Sequence, residues 1–103
     1  MDITAASFRD KKMGSFSVTY DWKTECHVAD ISVRSDDGML HRYRIIGLSE
    51  LNVSENFNRV PDIEFCSFIL SPGRIYLSFD PYTEGVESDR DNFSFVGRDI
   101  IEL

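Results

Sequence analysis

No apolar run in the chain approaches the ~18 residues that cross a bilayer, and the opening "MDITAASFRDKKMGSF" has no apolar core of a secretory leader. Those absences argue against a membrane protein and predict a cytoplasmic one. Cysteine is scarce: Cys26 and Cys66 stand alone, without a CxxC pair, in strand-like apolar runs. A disulfide framework and a zinc ribbon both need more than that, so two small buried hydrophobes are expected. Proline and glycine are thinly scattered and no spacer divides the 103 residues, which predicts one domain over 1–103, with 1–13 loose. Positive charge is short as well, with 11 Lys and Arg against 18 Asp and Glu, a net charge of −7. Phosphate backbones and anionic lipid surfaces are held by Lys and Arg, so neither nucleic acid nor membrane is the expected partner.

Catalytic frames are missing too. There is no G-x-S-x-G elbow and no Gly-rich phosphate cradle; Gly47, Gly73, Gly85 and Gly97 stand singly at turns. His27, His41 and Cys26 offer three zinc ligands but lack a fourth, and neighbours along a strand point to opposite faces. No cofactor is therefore expected. The strand "HRYRI" alternates basic and aromatic residues, as single-strand binders do, but no second basic strand accompanies it. Pairing of Arg42 and Arg44 with Asp30 and its neighbours is the ordinary expectation.

What the chain has in quantity is alternation. In "SFSVTYDW", Phe16, Val18, Tyr20 and Trp22 share one face while Ser15, Ser17, Thr19 and Asp21 share the other. "CHVADISVR" repeats this with Ala29, Ile31 and Val33, and "LHRYRIIGL" with His41, Tyr43 and Ile45. Asp36-Asp37-Gly38 between those two runs predicts a hairpin. "GLSELNV" reads as a short strand continuing past Gly47, "SENFNRVP" as a loop, and "DIEFCSFIL" as a central strand, apolar on both sides. "SPGR" is a turn, "IYLSF" returns with Ile75, Leu77 and Phe79 on one face, and "NFSFVGRDIIEL" gives one or two closing strands. No stretch sustains the 3.6 period of an amphipathic helix. The expected fold is mainly β: an antiparallel meander of about seven short strands, barrel-like or sandwiched, with at most one short helix.

The stretch "SFDPYTEGVESDRDNFSF" sets Asp80, Glu84, Glu87, Asp89 and Asp91 between two aromatic strand ends, with Arg90 the one cation. An EF-type calcium loop needs Gly at its sixth place and Glu at its twelfth. Starting at Glu87 puts Asn92 and Arg98 there; starting at Asp89 puts Ser94 and Ile100 there, so neither register fits. An acid–base pair needs one desolvated carboxyl, whereas so polar a run predicts solvated ones. Such a loop suits a partner's Arg and Lys, with Tyr82 beside the acids. Asp80, Tyr82, Glu84, Glu87, Asp89 and Asp91 are accordingly the candidate partner-binding residues.

In their order, "YDWKT", "SDDG", "HRYRIIGLSELNVSENF" and "YLSFDPYTEGVESDRDNFSF" resemble small uncharacterised bacterial proteins, some of which are regarded as immunity proteins of polymorphic toxin systems. The resemblance runs from Val18 to Phe95 and carries no assigned chemistry. It implies a non-catalytic acidic domain that sequesters a protein partner, possible targets including a basic toxin. Charge distribution agrees with that expectation: residues 61–103 hold nine acids and three bases, against nine and eight in residues 1–60. Two rival expectations stand beside it. One is a small-ligand or metal-binding β-barrel; the other is a homo-oligomeric subunit paired through a strand edge, so monomer and homodimer are both open.

Overall fold

The alternating segments pair as antiparallel strands in the computed structural model, which describes residues 3–54 and 62–103. β1 (Lys12–Asp21), β2 (Cys26–Arg34) and β3 (Leu40–Ile46) form a meander. The register sets Phe16 opposite Ile31 and Ile31 opposite Tyr43, and it sets Val18 opposite Ala29 and Ala29 opposite Ile45. One face of the meander is therefore apolar along its middle, with His27 and His41 on the same face nearer its ends. The predicted β2–β3 hairpin closes at Ser35, whose N–H donates to the Met39 carbonyl at 3.0 Å, and Gly38 takes the left-handed φ of +84° that this turn requires.

Beyond Gly47 the chain leaves this sheet. β4 (Glu50–Val53) joins β5 (Ser67–Ser71), β6 (Arg74–Ser78) and β7 (Phe93–Gly97) in a second sheet of order β4-β7-β6-β5. β8 (Asp99–Glu102) returns to the first, giving β1-β2-β3-β8. The described residues thus form eight antiparallel strands in two four-stranded sheets, a sandwich whose edges stay open. Gly97 sits where the sheets converge, and a Cβ there would overlap Ile45 Cγ2, which is why the β7–β8 corner needs glycine.

Between the sheets lie Ala29, Ile31, Val33, Tyr43 and Ile45 from the first, and Ile75, Leu77, Phe79, Phe93 and Phe95 from the second. Burial of each large apolar side chain contributes about 2 kcal/mol. Phe79, Phe93 and Phe95 meet edge to face or tilted, with centroids 5.2–5.9 Å apart, and Phe16 of β1 reaches Phe93 at 5.1 Å.

Three expectations need correction. The segment read as loose carries a 3-10 turn at Ala5–Ser7 and the fully buried Phe8, whose ring lies 4.8 Å from Tyr43 and 5.4 Å from Phe79. One aromatic with a vacant place in the core outweighs the weak patterning around it. "GLSELNV" does not continue β3 but crosses to the other sheet. The strand read as central is the β5 edge, since among the described residues it pairs with β6 alone; Leu70, at 61% exposure, faces solvent there. The loop expected at "SENFNRVP" falls largely on 55–61, outside the described residues.

Candidate functional site

The acidic stretch is the connection of the β6–β7 hairpin. Pairing runs one step past the strands: Phe79 N–H donates to Phe93 O at 2.9 Å and Asn92 N–H to Asp80 O at 3.1 Å. The Asn92 side-chain amide also donates to the half-buried Asp80 carboxylate at 2.9 Å. From there the loop does not project into water. It folds back across the outer face of the second sheet.

That face was prepared by the alternation of its strands. With Phe93, Phe95, Leu77 and Phe68 pointing inward, the register leaves a row of Asn52, Ser94, Ser78 and Ser67 pointing outward, and beside it Glu50, Val96, Tyr76 and Ile69. Short hydroxyls and an amide give hydrogen bonds to a loop lying over them. Gly85 N–H donates to Ser67 Oγ at 2.8 Å, and the Asn52 amide donates to Asp91 O at 2.9 Å. The hydroxyl of Tyr76 donates to the Asp91 carboxylate, whose other oxygen accepts the Tyr82 N–H at 2.8 Å.

Asp91 is therefore 2% exposed. The expectation of a uniformly solvated set fails at this residue, because its oxygens are the acceptors that fix the loop to the sheet. A buried carboxylate is tolerated when its lone pairs are met, and here they are met by a phenol and a main-chain amide. Burial, and then the bond to Asp91, push the Tyr76 hydroxyl up to about 12.

The other candidates divide. Glu84 accepts the Cys66 N–H at 3.0 Å and lies 3.5 Å from the Arg9 guanidinium, which ties the loop to the segment before β5. Burial, reinforced by the Glu84 charge, raises the Cys66 thiol to about 12, so it carries no thiolate at neutral pH. Glu87 makes a two-pronged pair with Arg74 at 2.7 and 2.8 Å, and that hydrogen bonding holds its carboxyl below the usual range. Tyr82 is 64% exposed; the Arg90 guanidinium lies over its ring, 5.0 Å from the centroid, and donates to its hydroxyl at 3.1 Å. Asp89 is exposed and makes no hydrogen bond or ion pair among the described residues.

Glu87, Ser88 and Asp89 form one wall of an open groove. Glu50, Leu51 and Asn52 of β4 line it as well, with Tyr76, Ser94 and Val96 of the sheet. Among the described residues no lining residue is basic, though Arg74 reaches Glu87 in its wall. Sequence reasoning missed Glu50 and Asn52, which are distant in the chain from the acidic stretch and reach it through the strand order β4-β7-β6, and Tyr76, which lies just before the stretch but becomes its anchor because the loop folds back over β6. The two histidines do not join this site: His27 packs on Tyr20 at 5.1 Å and His41 pairs with Val33, both in the other sheet. Among the described residues no group of three or more His, Cys, Asp and Glu is placed to hold a metal. No family model matches the chain, nor does any curated protein or solved structure.

Proposed function

We propose that this chain is a non-catalytic protein-binding module of the immunity type, and that it takes a basic partner in the groove between β4 and the acidic layer. The observation that carries this reading is the groove's lining: Glu50, Glu87 and Asp89 over Val96 and the Tyr76 ring, with Arg74 bound to Glu87 and Asp89 left exposed. An Arg or Lys side chain needs both parts, apolar surface for its stem and carboxylate for its head. Holding the carboxylates in place beforehand lowers the entropy cost of binding, since the partner does not have to order the loop. A catalytic role draws no support from these groups. Cys66 is buried away from the groove, and four of the five loop carboxylates already serve as hydrogen-bond acceptors inside the chain.

The experiment is co-expression with the proteins encoded beside this one, followed by association kinetics across ionic strength. A basic neighbour should bind at a rate that falls as salt rises, and Glu50→Lys combined with Asp89→Lys should slow that rate about tenfold or more at low salt. Binding untouched by the double reversal, or no binding by any neighbour, overturns the reading.

A further inference from the structure

β1 is the edge of the first sheet, and among the described residues no strand lies on its outer side from Ser15 to Asp21. Its start is already blocked: Asp62 bridges Lys12, Ile63 N–H donates to Lys11 O at 2.8 Å, and the register slips between Met13 and Ser15. The remaining stretch, "SFSVTYD", has no proline and no charge before Asp21. Natural edges are normally guarded by such residues. The core-facing side chains of the stretch also stay uncovered. Phe16, Val18 and Tyr20 are 38–39% exposed, and Trp22, stacked edge-on against Tyr20 at 4.6 Å, is 82% exposed.

We propose that this edge pairs antiparallel with the same edge of a second copy, about a twofold axis at Val18. An unpaired row of N–H and C=O groups takes an extended strand, and three features make that strand a copy of itself. The stretch from Ser15 to Asp21, unpaired on its outer side among the described residues, has Val18 as its midpoint, so full overlap and twofold symmetry coincide there. That register keeps like faces together, setting Val18 against Val18 of the partner subunit and Phe16 against Tyr20 of the partner subunit. Outward, Ser17 meets Thr19 of the partner subunit and Asp21 of the partner subunit falls opposite Ser15, while Lys12 stays paired with Asp62 at 3.4 Å. Within the stretch the register thus sets no two like charges face to face, a condition that self-pairing must meet in a chain of net charge −7. The result is one eight-stranded sheet with an isologous interface, made from residues that the acidic groove does not use.

Sedimentation across a concentration series tests the proposal. Wild type should move to twice the chain mass as concentration rises, and emission from the single tryptophan, Trp22, should shift to the blue with it. Val18→Lys sets two cations face to face on the axis and should stay monomeric at every concentration while keeping its β circular dichroism. A cysteine series fixes the register without relying on disruption. In a background of Cys26→Ser, Val18→Cys should cross-link to itself, whereas Ser17→Cys should link to Thr19→Cys in a mixture and not to itself. A wild type that stays monomeric at the highest concentration attainable overturns the proposal, even if it captures a foreign extended peptide. So does a dimer that survives Val18→Lys, or one that cross-links through Ser17→Cys alone.

Discussion

Asp30 and Asp91 sit on the outer faces of the two sheets, each with one side-chain donor of its own, and they hold different things together. Asp30 receives two bonds from the Arg44 guanidinium, at 2.7 and 3.0 Å, on an uncovered face; both side chains are more than a third exposed. Asp91 receives Tyr76 and the Tyr82 amide beneath a layer of chain. The first pair decorates a sheet that is already formed, in water that would solvate both partners nearly as well. The second replaces water with fixed donors and organises fourteen residues of sequence around itself. An acidic residue's contribution here follows from what lies over it, not from the strength of its partner.

Removing the two carboxylates in turn is the sharpest way to break that comparison. Asp91→Ala leaves the Tyr82 amide without its acceptor and takes from the buried Tyr76 phenol its short bond, leaving it the Ser88 carbonyl at 3.3 Å; it should cost about 3 kcal/mol in chemical denaturation. Tyr76→Phe removes one of the two bonds and should cost about 2 kcal/mol. It should also flatten the alkaline limb of stability. A hydroxyl raised from 10.0 to about 12 keeps its proton in the folded chain while the unfolded one loses it, so stability present below pH 10 is lost as pH rises towards 12. Denaturant midpoints across that range check the sign.

Asp30→Asn should lower stability far less than Asp91→Ala, and the loss should shrink in 1 M salt. The Arg44 hydrogen bonds hold the Asp30 carboxyl below 3.8, and Arg74 holds Glu87 below 4.5. Both stabilise the fold above the ordinary carboxylate range and cease to do so as pH falls through their depressed values. Acid unfolding of Asp30→Asn and Glu87→Gln should therefore begin from a lower plateau and fall less steeply. Smallest of all should be Asp89→Asn, whose carboxylate has no partner among the described residues; its melting temperature should match wild type.

The sandwich was legible because one period governs most of the chain. Where a strand has one apolar and one polar face, as in β2, β3 and β6, alternation fixes which residues meet the core. It could not tell edge from centre for "DIEFCSFIL", since that depends on how many strands pair with it. Phe8 was missed for a related reason, as a single residue has no period. The acidic stretch was legible as a hairpin connection and illegible as a layer. Its anchors are Ser67, Tyr76 and Asn52, and an outward serine looks the same in sequence whether water or chain covers it. Asp91 differs from Asp89 only by its place in a loop whose path the sheet decides.

Amide hydrogen exchange tests whether residues 80–92 are part of the fold. The Tyr82 and Gly85 amides, bonded to Asp91 and Ser67, should exchange orders of magnitude more slowly than a free chain, and both should lose protection in Asp91→Ala while β2 keeps its own. Exchange of those two amides at the rate of an open loop would contradict the account.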